Sequence, residues 1–277
     1  MKLVIFDEYR LGILRDAGVI DVTNALPHHQ PHSAASFWVE LCRDFAQMRP
    51  KLEREATGKA AVPLERVKLR PPVLNPSKVL AAASNYGEHV QEMRPRLSQD
   101  WLLDFGVFLK APSAIIGPGQ SISFPSVGDR EVHHEAELAF VIGDVCNNVS
   151  EADAMRYVLG YTCLIDVTIR GDGDRSFRKS FDGFCPVGPC LVTADEIGDP
   201  HNLGIKLWVN EDLRQDGNSR DMLVNIPQMI AYASRAMTLY PGDLFTTGTP
   251  DGVGTFAAGD TITIEVEKIG RMQISVV

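Results

Sequence analysis

The sequence predicts an α+β protein, predominantly β, in which a compact strand-rich body follows a small α/β segment. Three observations carry this. After residue 70 a series of short apolar runs follows, from "KVLAAAS" to "RMQISVV". Gly/Pro turns such as "GPGQS", "PVGP", "YPGD" and "TPDGVG" separate them. No Gly-rich loop leads from a strand into a helix, which argues against a doubly wound nucleotide-binding sheet.

In chain order, "KLVIF" and "LGILRDAGVIDVT" read as short strands joined by turns. "SAASFWVELCRDFAQMRPKLERE" reads as a helix, with Phe37, Leu41, Phe45 and Met48 at helical spacing and Ser33 as its cap. The prolines of "LRPPVLNPSK" then break regular structure. A boundary is expected near Arg70, giving a small N-terminal domain over 1–70 and the main body over 71–277. Strands are expected at "KVLAAAS", "GVFLKAP", "AELAFVIG", "GYTCLIDVTIR", "PCLVTA", "GIKLWVN", "DLFTTGT", "DTITIEVE" and "RMQISVV". Two helices interrupt them. "SEADAMRYVLG" opens with Ser150 and Asp153 at capping-box spacing, and "NIPQMIAYASRAM" puts Met229, Ala233 and Met237 on one side. No internal repeat is present.

Composition narrows the function. The 277 residues are 44% hydrophobic and 23% charged, enough to bury a core. A net charge of −9 argues against nucleic acid or an anionic membrane as main partner. No run approaches the ~18 apolar residues of a membrane span. The opening "MKLVIFDEYRLGIL" meets charge too soon for a secretory signal. The five cysteines include Cys185 and Cys190, but "CPVGPC" is not a zinc spacing. Free thiols in a reducing cytoplasm are the simpler expectation.

The stretch "EVHHEAELAFVIG" carries the strongest chemical signal. Period-two alternation puts His133, Glu135, Glu137, Ala139 and Val141 on one strand face. A carboxylate on a face that continues into Ala and Val needs a partner. "TITIEVEKIG" is a control: Glu265 and Glu267 share their face with Thr261 and Thr263, and a solvated face is expected. In "GYTCLIDVTIR", Asp166 interrupts an apolar strand, a place that depletes aspartate. Satisfaction by Arg170 or by backbone donors is the bland alternative. Together Glu135, Glu137 and Asp166 make three hard oxygen ligands, suited to Mg²⁺, Mn²⁺ or Ca²⁺ rather than zinc. In "SNYGEHVQEM", His89 and Glu92 are neighbours on a helical turn, where a glutamate can fix the imidazole tautomer of a general base. The Gly-rich "TTGTPDGVG" offers amides and the Thr249 hydroxyl to a carboxylate. "RKSFDGF" offers Lys179 to an oxyanion, although an exposed lysine is the default for such a loop.

The blocks "NYGEHVQEM", "FLKAPSAIIGPG", "HHEAELAFVIG", "GYTCLIDVTIR", "KSFDGFCPVGP" and "MTLYPGDLFTTGTPDGVG" resemble the fumarylacetoacetate hydrolase family in order and spacing, over roughly residues 75 to 270. The resemblance implies a mixed β-sandwich roll with a variable N-terminal domain, usually a homodimer. It implies Glu135, Glu137 and Asp166 as ligands of Mg²⁺ or Mn²⁺, and His89 with Glu92 as a catalytic dyad on a lid. It also implies Lys179 beside the metal and substrate, and Arg170, Thr249 and Tyr86 as substrate contacts. The chain departs from the family after Arg170, reading "RGDGDRS": Gly171 replaces an acid, and Gly173 stands where a substrate-holding glutamine is common. Head-group recognition is therefore expected to differ. The implied reaction is metal-assisted hydrolysis of a carbon–carbon bond in a β-diketo or acylpyruvate-type acid. The alternatives are isomerisation or decarboxylation of a related 2-oxo or hydroxymuconate diacid, or a non-catalytic ion-binding β module.

Overall fold

In the computed structural model, which describes residues 1–16, 18–27, 29–30, 35–94 and 105–277, strands β1 (Lys2–Phe6), β2 (Arg10–Arg15) and β3 (Gly18–Asp21) form an antiparallel meander. The expected single helix is two, α1 (Ala35–Arg43) and α2 (Phe45–Ala56), because the chain leaves helical geometry at Asp44 (φ −102°, ψ 18°). Phe37, Leu41, Phe45 and Met48 are nonetheless all buried, as the periodicity requires. The expected cap Ser33 lies outside the described residues. Two short strands, β4 (Val62–Pro63) and β5 (Leu69–Arg70), close this region.

The body begins with β6 (Val79–Ala83), α3 (Gly87–Met93) and β7 (Gly106–Lys110), followed by the two-residue strands β8 (Ile115–Ile116) and β9 (Ser121–Ile122). Next come β10 (Val132–His134), β11 (Ala136–Ile142) and α4 (Glu151–Ala154), at whose start Ser150 Oγ accepts from the Asp153 N–H at 3.3 Å. Then follow β12 (Val158–Ile165), β13 (Thr168–Ile169), α5 (Arg175–Arg178), β14 (Cys185–Thr193) and α6 (Ala194–Ile197). The hairpin of β15 (Gly204–Val209) and β16 (Asp212–Asn218) leads to α7 (Ile226–Ala236), which is held by a capping box between Asn225 and Gln228. The chain ends with β17 (Leu244–Thr246), β18 (Gly254–Thr255), β19 (Thr261–Val266) and β20 (Gly270–Val276).

One mixed sheet runs β4-β3-β2-β1-β14-β12-β11-β17-β6-β7, and a second runs β16-β15-β19-β20-β9. β17 and β6 pair parallel, whereas β11 and β12 pair antiparallel. The second sheet packs on the first, with β19 against β12 and β20 against β14, so the mixed β-sandwich roll is present. This explains the unbroken apolar runs of β11 and β12: both faces are covered, and every residue is buried. β1 pairs with β14, Lys2 opposite Val192, so the N-terminal strands extend the same sheet.

The control strand departs from expectation in part. Glu267 is exposed, but Thr263 is buried, because in register it lies between Trp208 and Gln273.

Two interruptions place the candidate site side chains. The run from Val132 to Ile142 breaks at Glu135, and the run from Val158 to Ile169 breaks at Asp166. The breaks face each other, since the Asp166 N–H donates to the Glu135 carbonyl at 2.8 Å. On one side of this crease β11 pairs with β12 in the large sheet; on the other β10 pairs with β13 in a three-stranded sheet.

Candidate metal and substrate site

The crease brings Glu135, Glu137 and Asp166 together. One oxygen from each lies within 4.8 Å of the others, and all three residues are buried. Asp166 does not take Arg170 as its partner. Its oxygens accept from Lys110 Nζ at 2.5 Å and Lys179 Nζ at 2.6 Å. Arg170 pairs with Glu135 instead, at 2.7 Å, and Lys179 completes the bridge to Glu135 at 2.7 Å. Lys179 is therefore a buried member of the cluster, not an exposed lysine.

Glu137 differs from its neighbours. The Gly248 N–H donates to it at 3.0 Å, and so does the Thr246 hydroxyl. Among the described residues no ion pair reaches it. Burial and the Asp166 and Glu135 charges push its carboxyl well above the usual range. Burial alone would also raise Glu135, but the Lys179 and Arg170 charges outweigh it and hold that carboxyl well below the usual range. Three buried carboxylates converge, one without a cation. That donor set fits a hard divalent ion such as Mg²⁺ or Mn²⁺, which would supply the charge Glu137 lacks.

Glu135 and Glu137 line an open cavity of about 570 Å³, so the carboxylates are not sealed off. His89 also lines it, from the first turn of α3, with Nδ1 3.3 Å from Glu92 Oε2. With Nδ1–H donating to that carboxylate, a neutral imidazole would present Nε2 as an acceptor. Thr249, Arg170 and Lys179 line the same space. Tyr86 does not. It is buried at the start of α3 and lines a neighbouring cavity with Leu223 and Pro250. His133 Nε2 lies 2.9 Å from Glu131, a carboxylate outside the trio.

Several residues that matter here were not singled out from the sequence. Lys110 shares a strand face with Phe108, and a lysine on an apolar face was the available signal. Arg175 and Arg178 line the cavity, and their signal was the basic cluster "RSFRK". Gln215 gave none, because it lies in the polar run "DLRQDGN". It is buried, accepts from the Ala136 N–H at 3.0 Å and donates to Thr249 Oγ1 at 2.8 Å. His134 Nδ1 donates to it at 3.1 Å. Burial pulls the His134 imidazole down to about 4, so the ring is neutral.

The family model for the fumarylacetoacetate (FAA) hydrolase C-terminal domain matches residues 78–277. A maleylpyruvate hydrolase of Aquipseudomonas alcaligenes is 37% identical over 294 residues, covering 100% of this chain and 99% of that protein. The crystal structure of maleylpyruvate hydrolase from Sphingobium sp. SYK-6, in complex with manganese(II) ion and pyruvate, is 43% identical with a TM-score of 0.90. It covers 100% of this chain and 99% of that one. A 4-hydroxyphenylacetate degradation bifunctional isomerase/decarboxylase of Escherichia coli is 41% identical over 199 residues, 70% of this chain and 45% of that protein. Family model, full-length relatives and the carboxylate crease agree: this chain is a member of the fumarylacetoacetate hydrolase family of enzymes.

Proposed function

We propose that the protein is a metal-dependent hydrolase that cleaves a carbon–carbon bond in an acylpyruvate-type β-diketo acid. The observation that carries this reading is the trio Glu135, Glu137 and Asp166, convergent, buried and open to a cavity that also holds His89. These three would hold Mg²⁺ or Mn²⁺, with Ca²⁺ admissible. An ion held there would supply Lewis acidity to the 2-oxo acid.

The chain's own residues account for the remaining steps. His89 Nε2, its tautomer set by Glu92, takes a proton from water as the water oxygen attacks the distal carbonyl. The Lys179 ammonium has three donors. Two are held by Glu135 and Asp166, and the third is available to the oxyanion. The carbon–carbon bond breaks, its electron pair passes to the pyruvate-side carbon, and the proton on His89 returns to that carbon. Pyruvate and a carboxylic acid leave. Arg170, and Thr249 in its Gly-rich turn, orient the substrate.

The relatives that hydrolyse maleylpyruvate support this reading over the whole chain. The isomerase/decarboxylase relative keeps a second reading in play over part of it. We further read residues 1–70 as a small domain carried on the 71–277 catalytic domain, and the enzyme as a cytoplasmic homodimer. The five unpaired cysteines support a reducing compartment. Among the described residues no helix is long and apolar enough to cross a membrane.

The test is a panel of acylpyruvates, oxaloacetate and hydroxymuconates, assayed with EDTA and with metal added back. Metal-dependent release of pyruvate from an acylpyruvate is expected. Isomerised or decarboxylated products without hydrolysis would transfer the assignment to the second reading.

A further inference from the structure

We infer that Asn85 is a positioning residue: its buried carboxamide ties the start of α3 to the Thr246–Gly248 segment, and so sets His89 at its working distance from the carboxylate crease. This rests on the reading above, in which His89 is the base for water.

Asn85 is the junction between β6 and α3. It is 1% exposed and follows Ser84, where the chain leaves β6 at φ +58°. An L side chain adopts that left-handed conformation where its surroundings impose it. Asn85 supplies that restraint. Its Nδ2 donates to the Thr247 carbonyl at 2.8 Å and to the Val224 carbonyl at 3.0 Å. Its Oδ1 accepts from the Val224 N–H at 2.7 Å, and its backbone carbonyl accepts from the Leu223 N–H at 2.8 Å. Both amide protons and the amide oxygen are thus used on main-chain groups. Alanine offers none of these side-chain bonds. Aspartate would set a carboxylate oxygen against two carbonyls, and glutamine carries the amide one methylene further.

One side of this junction leads to the acidic trio. Thr247 stands between two donors to Glu137, the Thr246 hydroxyl and the Gly248 N–H at 3.0 Å. Its own N–H and hydroxyl both donate to the Leu138 carbonyl at 2.9 Å, which fixes it to β11. Gly248 packs on Asn85 directly: at its φ of +86° a Cβ would lie 3.0 Å from Asn85 Cβ.

The other side leads to His89. Tyr86 follows Asn85 and bridges to Met222, and its carbonyl accepts from the Val90 N–H at 2.9 Å as α3 begins. His89 stands about one helical turn beyond Asn85, ~5.4 Å along the axis. A tilt at Asn85 is therefore carried into the position of the imidazole. Thr247 keeps its two bonds to Leu138 without Asn85, so the donors to Glu137 hold. A misplacement of about 1 Å in a reacting group costs about 10²-fold in rate.

The test compares Asn85→Ala with wild type, each saturated with Mn²⁺, on an acylpyruvate. kcat should fall by about 10- to 100-fold, with Mn²⁺ affinity within about 3-fold of wild type. In a His89→Ala background the same change should cost less than about 2-fold, because the group it positions is already gone. The same factor in both backgrounds, as expected of a residue that supports only the fold, overturns the proposal. So does full kcat in a folded Asn85→Ala, with circular dichroism as the check on folding. Should the alanine variant not fold, Val224→Pro enters the same two-background comparison, since it deletes the N–H that donates to Oδ1 and leaves Asn85 in place. Hydrogen exchange gives a readout free of activity. In Asn85→Ala the α3 amides should exchange at least about 10-fold faster while those of β11 keep their rates. Unchanged exchange in α3, or equal acceleration in both elements, overturns the proposal. If the wild type hydrolyses no acylpyruvate and the exchange difference is present, the hydrolase reading falls and Asn85 remains the anchor of His89 at the crease.

Discussion

Lys179 Nζ lies 2.7 Å from Glu135 Oε2 inside a buried cluster, so an ammonium stands where a dication would also be drawn. The two cations compete for the same negative potential. Removing the ammonium leaves Glu135 and Asp166 less compensated, which costs a metal-free protein about 3–5 kcal/mol. Lys179→Met should therefore bind Mn²⁺ at least as tightly as wild type while losing about 10²–10³ in kcat, because the oxyanion donor is gone. Calorimetric Mn²⁺ titration alongside steady-state kinetics separates the two effects. Loss of Mn²⁺ binding would mean that the lysine organises the site rather than acts in it.

As a proposed metal ligand, Glu137 would link metal binding to pH. Its carboxyl sits well above the usual range because of burial and the Asp166 and Glu135 charges, so it keeps its proton where an exposed glutamate has lost one. An incoming ion must displace that proton. Mn²⁺ affinity should then rise with pH up to the raised pKa, with up to one proton released per ion. Titration in two buffers of different ionisation enthalpy reads this number directly. Glu137→Gln should abolish the release and weaken Mn²⁺ by more than about 100-fold.

In the proposed mechanism His89 acts only on the reacting water, so its removal should spare the metal. His89→Ala should bind Mn²⁺ normally and lose about 10²–10⁴ in turnover. Glu92→Gln should lose less, because the ring stays and only its orientation relaxes. Near-normal hydrolysis by the alanine variant on a true substrate would remove His89 from the mechanism.

Gln215 tests whether the Thr249 turn needs its support. Leucine there would leave the Ala136 N–H and His134 Nδ1 without their acceptor, at about 1–3 kcal/mol for each stranded group. Thr249 Oγ1 would lose a 2.8 Å donor. Gln215→Leu should therefore lower the urea midpoint and raise KM more than it lowers kcat. A variant with unchanged KM and a lower midpoint would confine Gln215 to a structural role.

How much of this could be read in the sequence follows from the range of each interaction. Glu135 and Glu137 were legible because strand periodicity is local, and Asp166 because its apolar flanks are adjacent to it. The crease itself was not. It depends on an Asp166 N–H to Glu135 carbonyl bond across 31 positions, which no window along the chain contains. The split at Asp44 was hidden because both helices keep one apolar face, so periodicity passes through the break. Thr263 was misread because its cover, Trp208 and Gln273, comes from neighbouring strands. Lys110 and Gln215 act over 56 and 34 positions, on Asp166 and Thr249, and their types alone did not announce it.

His134 supplies the last prediction, an acid sensitivity of known sign. Burial lowers its folded pKa from about 6.5 to about 4. As pH falls through about 6.5 the unfolded chain gains a proton that the native state refuses until about pH 4, so stability is lost across that window. The difference of about 2.5 units corresponds to roughly 3 kcal/mol. In metal-free protein Glu137 works in the opposite direction, since its raised pKa makes the native state the better proton binder above the usual carboxylate range. A single stability curve would mix the two. The difference between wild type and His134→Asn isolates the histidine, because both proteins retain Glu137. Urea unfolding at about pH 8 and about pH 4.5 should show the wild type losing roughly 3 kcal/mol relative to the variant. Parallel curves would mean that the imidazole is protonated in the folded state, and that Gln215 then faces a cation rather than a neutral ring.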